Sequence, residues 1–338
     1  MTHRQHRPRS LVMRALQGAV ETLRSGGLVA FPTETVYGLG ADAENSTAVA
    51  RIFATKGRPA DHPLIVHIAN PDQIPHWARD IPPEAWRLAR RYWPGPLTLI
   101  LHRTCRVPDI VTGGQDTVGL RVPDHPLALA LLEAFGGGIA APSANRFGRV
   151  SPTTAAHVRE ELGDDIDLIL DGGPCRVGIE STILDLSGHQ PRLLRPGTIT
   201  LAEIETVLQK PIAQPGNDAP RAPGMLRAHY APRTPLCLVP TANLEAEARW
   251  HLEQGQRIAI LSMTATPLPE ACLRQGMPAH PGGWARELYA RLHALDVQCF
   301  DCILIEDPPS SADWQAVRDR LERAASAQGG PFRTPEDR

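Results

Sequence analysis

The sequence predicts an α/β protein in two parts, a twisted mixed sheet with helices packed on it and then a small Rossmann-like C-terminal α/β domain. Three observations predict it. Helical and strand periodicities interleave over the first 210 residues, but several strands follow one another directly, which a purely parallel array does not allow. A Pro-rich stretch without periodicity then runs from Pro211 to Pro235. Beyond it, strand and helix signals alternate in a βαβ order.

The elements follow in order. Leu11, Ala15, Leu16, Ala19, Val20 and Leu23 recur at helical spacing, and Gly26-Gly27 closes that helix. Leu28 to Phe31 reads as a buried strand stopped by Pro32. Ser46 to Ala54 is a helix with Ser46 as its N-cap. Leu64 to Ile68 is a strand, and Pro82 to Trp93 a helix opened by Pro. Leu97 to Leu101 and Val118 to Val122 are strands, and Pro126 to Phe135 is a helix ending in three Gly. The strands Ile139–Ala141, Leu168–Leu170, Ser181–Leu186 and Arg192–Arg195, with a helix near Thr153–Leu162, complete the first domain, residues 11–210. The linker, 211–235, leads to a second domain over 236–327. There the strands are Leu236–Val239, Arg257–Leu261 and Cys302–Glu306, and the helices Leu244–Glu253, Trp284–Leu295 and Trp314–Ala325. No glycine-rich dinucleotide fingerprint follows its first strand, so it is assigned no cofactor. The first ten residues read as a disordered arm, and the tail from Gln328 reads the same way.

Composition narrows the function classes. A length of 338 residues, 42% hydrophobic and 21% charged, suits a globular chain with a sizeable core. A net charge of −2 argues against a chain dominated by nonspecific nucleic-acid binding, although a local basic cleft is compatible with it. No apolar run reaches the roughly 18 residues of a membrane span, and no signal core precedes Arg14. The six Cys are scattered, as reduced thiols of a cytoplasmic protein would be. Cys299 and Cys302 form a lone CxxC without a second ligand pair, so they read as buried small hydrophobes.

Chemistry concentrates in a few segments. Phe31-Pro32-Thr33-Glu34-Thr35-Val36-Tyr37-Gly38-Leu39-Gly40 runs from a strand into hydroxyls, a carboxylate and two Gly. Such a segment suits a small polar ligand, and equally a turn closed by its own hydrogen bonds. Only Lys56 and Lys210 among the 35 basic residues are lysines, and Lys56 sits in Lys56-Gly57-Arg58-Pro59. An ammonium beside a guanidinium suits the phosphates of a nucleotide; a solvated helix end would look the same. His62 and His67 flank the next strand. Arg121 lies inside the apolar strand Val118–Val122, so it must be paired, with a ligand carboxylate or in an internal salt bridge. Ser143 and Asn145, then Ser151, offer donors and acceptors after another strand. Gly178-Ile179-Glu180-Ser181-Thr182 and Leu194-Arg195-Pro196-Gly197 repeat the theme. A Walker A loop, a nucleophile elbow, an HExxH zinc site and a kinase motif set are all absent.

The ordered series PTETVYGLG, KGRP, HPLIVHI, GLRVP, APSAN, IESTI and LRPGTI over about residues 11 to 210 closely resembles the YrdC-type threonylcarbamoyl-AMP synthase family. Ala222-Pro223-Gly224-Met225 through His229-Tyr230-Ala231-Pro232, and the domain after them, resemble its long, two-domain branch. The resemblance implies a YrdC-like twisted sheet with a positively charged cavity on its concave face. It implies a nucleotidyltransferase that turns L-threonine, bicarbonate and ATP into L-threonylcarbamoyladenylate and pyrophosphate, for threonylcarbamoyladenosine modification of tRNA. Carried over by position, threonine meets Thr35, His67, Arg121, the Ala141 backbone and Ser181. ATP meets Arg58, His62, Thr117, Ser143, Ser151, Arg195 and Tyr230, with Lys56 and Asn145 lining the phosphate side. Lys56 and Arg58 are the expected catalytic cations. Many relatives carry Asn where this chain has His62, and Ser where it has Ala222.

Mg²⁺ is expected to arrive bound mainly through ATP, and no protein ligand for it stands out. The product would pass to downstream tRNA threonylcarbamoyl-transfer proteins, with weak RNA binding and no membrane partner. A non-catalytic RNA-binding protein is the main rival, but the polar segments lack aromatic stacking surfaces and aromatic content is 5%. A carbamoyl-transfer module of the hydrogenase-maturation type would bring acylphosphatase and zinc-finger segments, which this sequence lacks. The Pro-rich linker is expected to fold over the cavity as a lid, with Tyr230 closing it.

Overall fold

The structure is a computed structural model that describes residues 7–216 and 218–327. The chain divides into two compact units: residues up to 146, 152–176 and 180–225 form the first, and 147–151, 177–179 and 226 onward form the second. The Pro-rich stretch is thus shared between them at residue 225.

The strands of the first unit are β1 (Val29–Phe31), β2 (Gly38–Asp42), β3 (Ile65–His67), β4 (Leu97–His102), β5 (Thr117–Arg121), β6 (Ile139–Ala140), β7 (Leu168–Ile169), β8 (Thr182–Asp185) and β9 (Arg192–Arg195). They form one sheet in the order β7-β1-β2-β6-β3-β5-β4-β8-β9. The pairs β1/β7, β3/β5 and β4/β8 are parallel and the rest antiparallel, so the sheet is mixed, as the runs of adjacent strands predict.

Because side chains alternate along a strand, the sheet has two faces with different covers. Ala30, Leu39, Val66, Leu99, Leu120 and Leu184 point to one core. There they meet Val49 and Ile52 of α2 (Ser46–Lys56), Leu88 of α4 (Pro83–Tyr92) and Ile204 of α8 (Leu201–Leu208). On the other face Val29, Phe31 and Ile139 pack under Leu16 and Leu23 of α1 (Arg7–Arg24) and Leu131 of α6 (Pro126–Phe135). Those two helices leave the β3-to-β9 part of this face free of helix contacts in that core. Ile65, Ile100, Ile183 and Leu194 there pack instead against Ala219, Ala222 and Met225 of the Pro-rich stretch.

The second unit carries β10 (Leu236–Val239), β11 (Ile258–Ser262), β12 (Leu273–Gly276) and β13 (Cys302–Glu306), all parallel and ordered β10-β13-β11-β12. Helices α9 (Leu244–Glu253), α10 (Pro281–Asp296) and α11 (Gln315–Ser326) accompany them, which is the expected small Rossmann-like arrangement. At the end of β13 the Glu306 carboxylate is buried. Burial alone would raise its pKa, but hydrogen bonds from Thr264, Thr241 and Met263 outweigh it and hold the group low.

Several elements differ from the sequence reading. Strand β2 was hidden because Gly38 and Gly40 carry no side-chain pattern. Strand β12 is largely exposed and shows no apolar alternation. Helix α8 is short and is set by a capping box between Thr200 and Glu203. Asn45, not Ser46, caps α2, accepting from the Thr47 and Ala48 N–H groups. Helix α1 starts at Arg7, inside the expected N-terminal arm. Residues 1–6 and the tail from Gln328 lie outside the described residues. All six cysteines are free thiols; Cys302 is buried with its sulfur 3.9 Å from that of Cys237, while Cys299 is exposed.

Gly40 shows why β2 tolerates so little. A Cβ there would stand 2.7 Å from Ile139 Cγ2 and 2.8 Å from Phe31 Cε1, both in the core. Gly40→Ala is therefore expected to destabilise the protein by ~1–3 kcal/mol, read as a lower denaturant midpoint. An unchanged midpoint contradicts this packing.

Candidate active site

Strand register sets a row of polar side chains across the less-covered face. His67 on β3 stands beside Arg121 on β5 and opposite Ile139 on β6. Leu99 faces Leu120, so one step on Thr98 of β4 comes level with Arg121, and Thr98 is itself paired with Ile183 of β8. Ser181, two residues before Ile183, reaches Thr98 Oγ1 at 2.8 Å.

Arg121 is 4% exposed and organises this row. Its Nη2 is 2.7 Å from Glu34 Oε1 and donates to Thr35 Oγ1 at 3.0 Å, and its Nε reaches the Gly95 carbonyl at 3.3 Å. Its Nη1 makes no hydrogen bond among the described residues. Glu34 is almost fully buried and also accepts from the Asp124 N–H at 3.0 Å. Thr35 is fixed in turn by Thr33, whose Oγ1 takes the Thr35 and Val36 N–H groups. The PTETVYGLG segment is thus a locally bonded turn, and that turn aims a carboxylate and a hydroxyl at Arg121. The Trp93-Pro94-Gly95-Pro96 loop contributes two carbonyls, Gly95 O to Arg121 and Pro96 O to the Thr182 N–H at 3.0 Å.

His67 is buried, and its Nδ1 has no hydrogen-bond partner among the described residues. Burial first, and then the Arg121 guanidinium, push its pKa down to about 3, so the ring is neutral at physiological pH. Phe31 meets it edge-on, with ring centroids 5.9 Å apart. Ala141 donates its N–H to Ile65 O at 2.9 Å.

Arg195 on β9 clasps Ser181, with Nε to its carbonyl at 3.0 Å and Nη2 to its Oγ at 3.1 Å, and donates Nη1 to the Pro223 carbonyl at 3.0 Å. The Pro-rich stretch is tied down further by Arg221, which exchanges hydrogen bonds with Gln115 and reaches Gly113 O.

The second cationic group forms at the end of α2. Gly57 adopts φ 63°, and the bonds Gly57 N–H to Ala54 O and Arg58 N–H to Phe53 O turn the chain back on itself. Lys56 is 3% exposed and donates Nζ to the carbonyls of Ser143 and Asn145, with the Glu161 carboxylate acting on it electrostatically. Burial, reinforced by Arg58, pulls its pKa well below the ordinary lysine value. Arg58 is buried too, with Nη2 on the Pro63 carbonyl at 2.9 Å. The half-buried His62 ring is likewise shifted down, by burial and then Arg58, against Asp61. Ser143 bridges to Gly38, which brings the end of α2 and the glycine strand together. Thr117 opens β5, half-buried.

Two family models match this chain. The Sua5/YciO/YrdC model, described as telomere recombination, matches residues 21–197. A model of the threonylcarbamoyl-AMP synthase C-terminal domain matches residues 199–326. The chain belongs to the Sua5/YciO/YrdC family. Among its relatives, a threonylcarbamoyl-AMP synthase of Pyrococcus abyssi is 42% identical over 314 residues, covering 90% of this chain and 92% of that one. One of Bacillus subtilis is 41% identical over 326 residues, covering 92% of each. The crystal structure of P. abyssi Sua5 complexed with L-threonine superposes with a TM-score of 0.87 at 40% identity, over 94% of this chain and 96% of that one.

Within this family member, the residues expected around threonine, Thr35, His67, Arg121, Ala141 and Ser181, all lie in the first unit, the last four on or beside strands β6, β3, β5 and β8, with β4 between the last two. Of the expected ATP set, Arg58, His62, Thr117, Ser143, Asn145 and Arg195 also lie there, with the catalytic candidate Lys56. Ser151 and Tyr230 belong to the second unit. Tyr230 is buried with φ 63°, stacked on Tyr289 at 5.9 Å and beneath the Arg320 guanidinium at 5.2 Å. The sequence reading left three groups unassigned: Glu34, Thr98 and the Gly95 carbonyl. Glu34 was in view inside its motif, and Thr98 is the one hydroxyl in the strand Leu97–Leu101.

The His67 shift has a stability consequence. In the unfolded chain this ring takes a proton below about pH 6.5, whereas in the fold it does so only near pH 3. Between those values the unfolded state binds more protons, so stability rises with pH and is lost on acidification. His67→Asn should flatten the loss of denaturant midpoint between pH 6 and 4, and an unchanged slope would show that His67 titrates normally.

Proposed function

We propose that this chain joins L-threonine, bicarbonate and ATP into L-threonylcarbamoyl-AMP, releasing pyrophosphate, in the cytoplasm and for the threonylcarbamoyl modification of tRNA. The observation that carries the reading is the buried Lys56 amine, which donates to two backbone carbonyls beside Arg58. Burial and Arg58 disfavour its charged form more than Glu161 supports it, and the negative charge of a triphosphate would offset that cost. The names of the relatives, and the threonine held by P. abyssi Sua5, support the choice of substrates.

Balanced, the reaction has two steps. The threonine amine attacks the carbon of bicarbonate, a C–N bond forms, and water leaves. The carbamate oxygen then attacks the α-phosphate of ATP, and pyrophosphate departs with its electron pair. No protein nucleophile is needed, so the contribution of the chain is placement and charge. Arg121 Nη1 is free to donate to the threonine carboxylate, while Glu34 and Gly95 keep the guanidinium in register. His67 orients threonine; with a pKa of about 3 it is too weak a base to hold the amine proton, which leaves with the bicarbonate hydroxyl as water. Lys56 and Arg58 offset charge growing on the leaving pyrophosphate. Asn145, Ser143, Thr117, His62 and Arg195 complete the assignment to ATP. Mg²⁺ bound to ATP would add to that neutralisation. The buried acid nearest the threonine row, Glu34, is committed to Arg121, so the metal is assigned to phosphate oxygens and water. Ala219, Ala222 and Met225, packed on the same sheet face, form the cover that keeps the adenylate from water. The product passes to the proteins that transfer threonylcarbamoyl to tRNA.

Incubation with ATP and bicarbonate should release pyrophosphate only when threonine is added. Arg58→Ala should lower that rate at least ~10²-fold with the melting temperature preserved. A folded Arg58→Ala variant with near wild-type turnover removes the phosphate role.

A further inference from the structure

Thr98 lies fully buried in the middle of the nine-stranded sheet, on the face that carries His67 and Arg121. Its Oγ1 has a single hydrogen-bond neighbour among the described residues, Ser181 Oγ at 2.8 Å. Ser181 Oγ is also 3.1 Å from Arg195 Nη2. A guanidinium only donates, so one lone pair of Ser181 is already taken. Both hydroxyls are fully buried, so whichever one donates, the other's proton has no acceptor among the described residues. A substrate oxygen at Ser181 resolves this, because it takes the Ser181 proton and leaves Ser181 to accept from Thr98. Both lone pairs of Ser181 are then occupied, and its own proton points to an acceptor outside this trio.

We infer that Thr98 is a positioning residue that fixes Ser181 as an obligate hydrogen-bond donor to an oxygen of the amino-acid substrate. The inference rests on the proposed placement of threonine at Ser181. With both lone pairs used, Ser181 accepts nothing from the substrate, so an ammonium or amide N–H gains no bond there. The site is thereby polarised toward a substrate oxygen, and the neutral His67 adds no competing charge.

Thr98→Val keeps the shape of the side chain and removes its proton. Steady-state pyrophosphate release by the full chain, with threonine varied at saturating ATP and bicarbonate, should show the threonine KM raised about five- to twentyfold. The ATP KM should stay within about twofold of wild type. Thr98→Ser should restore the threonine KM, because it returns the hydroxyl without the methyl. In the Ser181→Ala background Thr98→Val should add nothing further, since the bond it breaks is already gone. Should Thr98→Val not fold, Thr98→Ala against Thr98→Ser is the same comparison, a pair differing only in the hydroxyl. A folded Thr98→Val enzyme with wild-type threonine KM overturns this inference alone, as does a Thr98→Ser enzyme as impaired as Thr98→Val. A wild-type chain that releases no threonine-dependent pyrophosphate overturns the proposed reaction and this inference with it.

Discussion

A guanidinium buried in the middle of a sheet is the constraint around which the first unit is arranged. Arg121 sits on β5, flanked by β3 and β4, where an unpaired charge would be strongly destabilising. Its demands are met from two places in sequence: Glu34 and Thr35 from the turn between β1 and β2, and Gly95 O from the loop before β4. Glu34 must be inside to neutralise Arg121, so the turn folds inward. Gly95 must lack a side chain, because a Cβ there would lie 2.2 Å from Tyr92 O. One charge thus fixes two loops and leaves one guanidinium N–H pair for a ligand.

The division of the sheet into a helix-covered face and a face partly covered by extended chain explains where chemistry can occur. Helices seal their face with aliphatic side chains, and nothing small enters. The Pro-rich stretch covers the other face through only a few small residues and backbone hydrogen bonds to the side chains of Arg195 and Gln115. A cover of that kind is held by individually modest interactions and can yield to substrate without unfolding the core.

Much of the fold was legible because periodicity reports burial. The apolar stripes of α1, α4 and α6, and the runs at β4, β5 and β13, are unmistakable in the sequence. What escaped was structure whose cause is not a side chain. Strand β2 exists because Gly38 and Gly40 let Phe31 and Ile139 come close, and β12 because a parallel neighbour pairs with it. The candidate site divides the same way. Short polar motifs at strand ends announced Lys56, Arg58, His67, Arg121 and Ser181. Thr98 could not be distinguished from a strand threonine, since its importance lies in which way one proton points. That depends on Arg195, 97 residues further on.

The two units interleave along the chain: residues 147–151 and 177–179 belong to the second unit but lie within the sequence of the first. A ribosome that has made residues 1–225 has therefore completed the whole first sheet while holding two short segments whose packing partners, α10 among them, are still untranslated. Synthesis order completes the nine-stranded sheet first and makes the C-terminal half the late arrival. Gene fusions or truncations placed in the Pro-rich stretch would sever a unit that no single cut can separate cleanly.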